Sequence, residues 1–423
     1  MWPVIDLFSG AGGMSCGFAR RAPFRLIAAV DAEHAKPCEG YGRLDCNATY
    51  EVNIGVKPFE RDIARLEPPE LARMCASAVG NPDLPTELCV LIACPPCTDF
   101  SRAKPTNHLR DSNKNSLVAK CADFVEHLRP EFVVMENARE LISGVNAHHY
   151  RRFCCRLRRL GYAVDGRVEM MTRFGLPQIR ERAVVIASRV SEVKTLDDLW
   201  QGWAPAPGTT TVRHAIGRWD HPPIAAGERD PSDAMHVSPG FSDERVRRRM
   251  DLIPHDGGSW FDLPHIPGGS DLLVPSMQDR LRRNDLGSHP DVYGRLAWDA
   301  PAKTIKRECA HVGNGRYAHP RQTRLLTVRE MAMLQGFPAD YRFVSPSIAN
   351  RYRHVGDAVP PLLSYQLSAL VAWMKTGKKP APSDWVLHGS SLRRRDVIRR
   401  RAEAQLVLPL RKPAPMKKLR LEA

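Results

Sequence analysis

The sequence predicts an α/β chain built on a mostly parallel sheet, with a second, loop-rich lobe inserted into it. Three observations carry this reading. Short apolar runs at Val4-Ile5, Leu26 to Val30, Leu88 to Ala93, Phe132 to Met135 and Ala183 to Ala187 are interleaved with helical stripes, as expected of strands buried on both faces by crossover helices. The runs stop at residues suited to chemistry: Asp31, then Cys94-Pro95-Pro96-Cys97, then Glu136-Asn137. From about Arg189 to Val292 the periodicity fades and Trp, Pro and Gly punctuate the chain.

At 423 residues the chain exceeds one ordinary domain. The formal charge is +15, and residues 375–423 hold 14 Lys and Arg against 4 Asp and Glu, a net of +10 that leaves +5 for the rest. A polyanionic partner is expected, with most of the excess in a C-terminal appendage. No run reaches the length of a membrane span, and Met1-Trp2-Pro3 does not begin a signal peptide. A cytoplasmic protein with no membrane partner is therefore expected. Eleven scattered Cys read as free thiols rather than as a disulfide framework.

Val4 to Phe8 form a strand that runs into Ser9-Gly10-Ala11-Gly12-Gly13, a loop where backbone can approach a ligand closely. Eighteen residues beyond Gly13, the second strand ends at Asp31, where nucleotide-binding folds place a ribose acceptor. The glycines do not spell a full dinucleotide or triphosphate cradle, so a nucleoside without pyrophosphate fits better, and S-adenosylmethionine is one. Asp62 follows at a third strand end and could accept from an adenine amino group, although a surface acid reads equally well.

The double proline after Leu88 to Ala93 cannot continue a ladder and turns the chain out of the sheet, presenting Cys97 at the carboxyl edge. Taken alone, this stretch also fits a buried structural Cys, or a C-x-x-C redox pair or half zinc site formed by Cys94 and Cys97. No second pair at zinc spacing follows, and no metal is expected. Residues 98 to 114 are polar and read as a mobile loop carrying Ser101 and Arg110.

Leu117, Val118, Cys121, Phe124, Val125 and Leu128 recur at helical spacing, and Tyr150, Phe153, Cys154, Leu157 and Leu160 do the same before Gly161. Between these stripes, Glu136 ends a strand at the same edge as Cys97 and is a candidate acid. Strand alternation sets Gln178, Arg180 and Arg182 on one face. The loop-rich lobe contains the basic cluster Arg245, Arg247, Arg248 and Arg249, which suits phosphates or a solvated helix face. Thr327 should cap a helix that stops at Gly336-Phe337-Pro338, and Leu362 to Met374 form a last apolar helix.

In order, Asp6-Leu7-Phe8-Ser9-Gly10-Ala11-Gly12-Gly13, Pro95-Pro96-Cys97, Glu136-Asn137, Gln178-x-Arg180-x-Arg182, the Arg329-Glu330 helix and Gly356-x-Ala358-Val359-Pro360 resemble the cytosine-C5 DNA methyltransferase family. The resemblance covers roughly residues 3 to 375. It implies a Rossmann-like S-adenosylmethionine-dependent methyltransferase fold with a catalytic part at 1–189, a small target recognition domain at 190–292, a C-terminal catalytic part at 293–376 and a flexible basic tail at 377–423.

The resemblance also implies roles. Cys97 adds to carbon 6 of a flipped cytosine, Glu136 holds the base, Arg182 binds its O2 side and Arg180 lends positive charge to the thiol. Phe8, Gly10, Ala11, Gly12, Asp31, Asp62, Ile63, Cys94, Leu117, Asp357 and Ala358 fall in the S-adenosylmethionine pocket. Ser101, Arg110, Gln178, Arg245 and Arg247 fall to double-stranded DNA. A monomer is expected, with any cognate restriction endonuclease acting separately. The alternatives are an RNA cytosine-C5 methyltransferase of the same fold and a catalytically silent DNA-binding relative. Three departures stand out: Thr98-Asp99 where Gln-Gly is common, Ala138 for Val, and Asp357 for the usual Asn.

Overall fold

The structure is a computed structural model and describes residues 1–33, 43–80, 88–96, 116–218, 221–283 and 290–400. Seven strands form one sheet in the order β3-β2-β1-β4-β5-β7-β6. They are β1 Trp2–Asp6, β2 Phe24–Asp31, β3 Phe59–Glu60, β4 Val90–Ile92, β5 Phe132–Ala138, β6 Ala163–Met170 and β7 Glu181–Ser188. β1 to β5 pair in parallel, and β7 is antiparallel to both β5 and β6.

Alternation along the strands divides two cores. Ile5 and Leu91 face one layer with Val118, Phe124, Phe153 and Leu157. Val4, Val90 and Ile92 face the other, with Met14, Phe18, Leu363, Leu367 and Leu370. On that second face the Gly13–Ala19 helix lies against the Pro361–Thr376 helix. The approach is close enough that a Cβ on Gly17 would meet Tyr365 N and Ser364 Oγ at 2.2 Å, and the Gly17 N–H donates to Ser364 Oγ at 3.0 Å.

The expected helices at Leu117–Leu128 and Val328–Leu334 form as read, the second closed by a reciprocal Thr327–Glu330 capping box. β6 escaped the sequence because it is the edge strand. Of its residues Ala-Val-Asp-Gly-Arg-Val-Glu-Met only Glu169 is buried, so it shows no apolar run.

Two domain boundaries require correction. Val212, Ile216, Met250, Trp260 and Met277 share one core with Ile305, Tyr317, Phe337 and Tyr352, so 293–358 packs on the loop-rich lobe as well as on the sheet part, where the Tyr341 hydroxyl donates to the Ala11 carbonyl and Thr49 to the Val344 carbonyl at 3.1 Å. The lobe is too poor in helices to close a core alone and borrows the following segment. The appendage is also ordered as far as Arg400. Trp385, Leu387 and Leu392 are buried against the sheet layer, and β9 (Val397–Arg399) pairs with β8 (Trp203–Pro205). Buried His214 and Asp396 meet at 2.9 Å and fix the same segment to the lobe. A basic composition concealed these few apolar anchors. Residues 401–423 lie outside the described residues.

Candidate active site

The strand order places the topological switch between β1 and β4, where the chain first builds outward through β2 and β3 and then through β5. A crevice at the carboxyl ends of such neighbours is the expected ligand site. Ser9 N–H donates to Val30 O and Leu7 N–H to Ile92 O, both at 3.0 Å, so the loop after β1 sits over the ends of β2 and β4. Gly10 has φ +47°, and a Cβ there would meet nothing within 4 Å among the described residues, so the loop borders open space between them.

Asp31 closes the loop from the β2 side. Its Oδ2 accepts from Gly10 N–H at 3.0 Å and its Oδ1 from Glu33 N–H at 2.7 Å. Oδ1 also accepts from Cys46 Sγ at 3.4 Å, so Oδ2 is the oxygen that keeps a lone pair for a further donor. Asp62 is half-buried and caps its own turn through Ala64 N–H at 2.9 Å, while Ile63 is buried. Buried Ala11 accepts the Tyr341 hydroxyl, and Gly13 lies against Ala358 and Val359. Phe8, Leu117 and Cys94 are half-buried at the same edge. Gly10, Asp31, Asp62 and Cys94 thus occupy neighbouring strand ends, and an open-faced glycine loop beside a carboxylate suits a nucleoside without pyrophosphate.

Beneath the loop lies a group the sequence reading missed. Asp6 is 1 % exposed, accepts from Ser15 Oγ at 2.6 Å and from Phe8 N–H at 3.2 Å, and Tyr50 donates to Ser15 Oγ. Burial pushes its carboxyl up to about 7. Only its place inside the Asp-Leu-Phe motif hinted at a role.

The Pro95-Pro96 turn and Glu136-Asn137 are tied to one another directly. Glu136 N–H donates to Cys94 Sγ at 3.2 Å, and Asn137 Nδ2 donates to the Pro95 carbonyl at 2.9 Å. Glu136 is 7 % exposed, and Arg182 Nε lies 3.0 Å from its Oε1. The approach lacks hydrogen-bond alignment, since Oε1 has no hydrogen-bond partner; the contact is an ion pair. Its cause is register: Ala138 pairs with Arg182 across β5 and β7, two residues from Glu136 on the same face. Burial, reinforced by the Glu136 and Asp6 carboxylates, holds the Cys94 thiol well above the ordinary thiol range, so Cys94 stays protonated and is a poor nucleophile. Cys97, Ser101 and Arg110 lie outside the described residues.

Arg180 and Gln178 do not join Arg182 at Glu136. Arg180 is 3 % exposed and donates to the Ile305 carbonyl at 3.1 Å and the Ala358 carbonyl at 3.4 Å. Gln178 is fully buried; its amide donates to Gln335 Oε1 at 2.7 Å and its carbonyl accepts from Ile305 N–H at 3.1 Å. The expectation that Gln178 contacts DNA is therefore corrected: it joins the sheet to the second lobe. Alternation breaks because β7 begins only at Glu181, leaving 178–180 as a bridge beside Ala302.

The basic cluster is likewise less bare than its sequence. Arg245 donates to the Asp271 carbonyl at 2.7 Å, Arg247 pairs with Glu244 and Asp251 at 2.6 and 2.9 Å, and Arg249 is buried on the Leu272 carbonyl. Instead, a cleft of about 220 Å³ opens beside exposed Ile179, lined by Lys303, Lys306, Arg316 and Asp291. Single lysines in an irregular stretch gave no sequence signal.

The comparisons agree with this geometry. The family model for the C-5 cytosine-specific DNA methylase matches residues 2–370. The type II methyltransferase M1.HphI of Haemophilus parahaemolyticus is 31% identical over 382 residues, covering 88% of this chain and 87% of its own. The type II methylase M.HgiDII of Herpetosiphon aurantiacus is 28% identical over 369 residues, covering 85% and 92%. Among solved structures, a prophage-encoded candidate DNA modification methyltransferase of E. coli shares the fold with a TM-score of 0.61 at 18% identity, over 89% of this chain and 99% of that one. The Dnmt2 methyltransferase of S. pombe does so at 0.51 and 17%, over 88% and 99%. With a sheet edge that joins Pro95-Pro96 to Glu136 and a match over nearly its whole length, the chain belongs to the C-5 cytosine-specific DNA methylases.

Proposed function

We propose that the chain methylates carbon 5 of a cytosine flipped out of duplex DNA at a specific sequence, with Cys97 as covalent nucleophile and S-adenosylmethionine as donor. The observation that carries this reading is the Glu136–Arg182 pair at 3.0 Å, held beside the Pro95-Pro96 turn by the Asn137 amide. Carbon 5 of cytosine is a weak nucleophile. A thiolate adding to carbon 6 pushes electron density onto carbon 5, and the ring nitrogen N3 must take up charge as this occurs. A buried carboxyl beside that nitrogen, oriented by a guanidinium, supplies the proton or hydrogen bond. Arg182 keeps further donors for the O2 side of the ring.

When bound, the cofactor supplies an electrophilic methyl group. The chain's own contribution is the Gly10 loop, the Asp31 carboxylate and the Asp62 turn, which suit its nucleoside. After transfer, loss of the carbon 5 proton lets the Cys97 sulfur leave carbon 6 and restores the aromatic ring. The target is inside a duplex, so the base must be extruded, at a cost of a few kcal/mol. The exposed Lys303 and Lys306 beside Ile179 offer cations to the flanking phosphates.

The test is expression in a host lacking cytosine methylation, followed by mapping of 5-methylcytosine. A mark confined to one sequence, absent with Cys97→Ser, is expected. Methylation of transfer RNA alone, or of exocyclic amino groups, overturns the reading.

A further inference from the structure

The His148–Arg159 helix reads His-His-Tyr-Arg-Arg-Phe-Cys-Cys-Arg-Leu-Arg-Arg and has no acidic residue. Its inner face is the stripe of Phe153, Cys154 and Leu157, each 2 % exposed or less. At about 100° per residue, Arg158, Arg151, Cys155, Arg159 and Arg152 fall in that order within an arc of ~120° on the opposite face. All five are exposed.

Elsewhere some clustered arginines are neutralised within the chain, whereas exposed Arg248 and Arg393 to Arg395 form no ion pair among the described residues. Arg247 has Glu244 and Asp251, and Arg283 has Asp279 at 2.9 Å. Among the described residues, the arginine of this helix with carboxylate partners is Arg156, at the margin of the arc, held by Asp123 and Glu126. Asp165, on the adjoining strand β6, is held by Arg167 at 2.9 Å. Among the described residues, Arg151, Arg152, Arg158 and Arg159 form no ion pair.

Four guanidiniums along ~12 Å of helix, without an ion pair among the described residues, present a strip of positive charge to an outside partner. A membrane surface does not fit, because an interfacial helix keeps an apolar face to insert and this one has buried its apolar face in the core. A protein partner does not fit, because interface centres are depleted of charge and this arc holds only Cys155 besides arginine. A nucleic-acid backbone fits: duplex DNA carries one charge per ~1.7 Å of axis, about seven along the same length, at no sequence cost. The arc does not face the candidate active site. The helix is the crossover between parallel β5 and β6, packed on the Leu117–Leu128 helix at the flank of the sheet, whereas Glu136 and Gly10 lie at its carboxyl edge.

We propose that Arg151, Arg152, Arg158 and Arg159 form a second DNA-binding surface, which grips the phosphates of a duplex segment other than the one at the Glu136–Arg182 site. It rests on duplex DNA being the substrate. The segment is either the flank of the same molecule or a separate duplex; the chemistry is the same.

The full chain supplies its own probe, since Cys155 sits in the middle of the arc. Native protein and R151Q/R152Q/R158Q/R159Q are compared with a non-cognate duplex between about 50 and 200 mM salt. Each lost phosphate contact removes ~0.9 from the slope of log affinity against log salt, so the slope should flatten by about 3 to 4. Duplex should slow maleimide alkylation of Cys155, mapped by mass spectrometry, severalfold in native protein; Arg151→Gln with Arg158→Gln should halve the slope change. Two duplexes of about 15 base pairs bound per chain identify a separate molecule, and a gain confined to longer duplexes identifies the flank. An unchanged slope overturns the proposal, as does Cys155 alkylation indifferent to duplex or slowed by RNA and not by DNA. The cellular 5-methylcytosine pattern, measured on the same variants, should persist, and its absence from native protein would instead strike the methylation reading.

Discussion

Arg307 pairs with Asp357, the last residue of the Ile348–Asp357 helix, across fifty positions of sequence. The acid that departs from the family's Asn is therefore not a bare charge. It adjoins Ala358, whose side chain lies against Gly13 at the end of the glycine loop. S-adenosylmethionine carries a sulfonium that its product lacks. Arg307→Ala removes one cation from beside Asp357 and should favour cofactor over product; Asp357→Asn leaves the Arg307 cation and should favour product. Both side chains are partly exposed, 22 % and 37 %, so each change should be about two- to fivefold in the ratio of dissociation constants. Calorimetric titration of both ligands reads it, and equal ratios in all three proteins would place the pair away from the methionine end.

Covalent catalysis by Cys97 predicts a trapped complex. A fluorine on carbon 5 cannot leave as a cation, so DNA containing 5-fluorocytosine should hold the native enzyme through denaturing electrophoresis, and Cys97→Ser should show none. Because the Cys94 thiol is held protonated, Cys94→Ser should still trap. Trapping that survives Cys97→Ser but not Cys94→Ser would reverse the two assignments.

Glu136→Gln keeps the shape of the site and removes its proton. Turnover should fall by about 10²- to 10⁴-fold, with duplex affinity retained. Arg182→Ala leaves Glu136 without its ion-pair partner and should lower turnover to a similar extent. If either variant loses duplex binding in step with turnover, the pair serves the fold of the site rather than the chemistry.

Asp6 predicts a pH dependence of stability. Its carboxyl is raised from 3.8 to about 7, so between those values the folded chain keeps a proton that the unfolded chain releases. Stability from this group is full below pH ~4 and is lost as pH rises through ~7, at up to about 1.4 kcal/mol per unit. Asn at this position can still accept from Phe8 N–H and donate to Ser15. Asp6→Asn should therefore gain on the native protein between pH 5.5 and 8 in denaturant midpoint. A gap that stays constant from pH 5.5 to 8 would show that Asp6 is already ionised when folded.

The appendage divides at Arg400. Removing 401–423 takes away Arg401, Arg411, Lys412, Lys417, Lys418 and Arg420 against two glutamates, which should flatten the salt dependence of DNA binding and leave melting unchanged. Removing 377–423 also strips Trp385, Leu387 and Leu392 from the core, at several kcal/mol, and should lower the melting temperature sharply. Equal melting of both truncations would show that the ribbon of β8 and β9 adds nothing to stability.

By itself the sequence determined the sheet, the nature of its strand ends and the family, because buried parallel strands must be apolar throughout and the reactive groups sit where those runs stop. Asp31, Cys94-Pro95-Pro96 and Glu136-Asn137 were legible for that reason. The tertiary structure alone decided which polar residues act together. Arg182 meets Glu136 through the antiparallel register of β5 and β7, whereas Gln178 and Arg180, of the same alternating motif, precede that strand and are consumed in the joint to the second lobe. It also decided that residues 293–358 pack on the loop-rich lobe as well as on the sheet part and that a basic stretch is anchored by four apolar side chains, Trp385, Leu387, Leu392 and Val397. Burial and ion pairing depend on partners hundreds of residues apart, and no local pattern of residue types encodes such a distance.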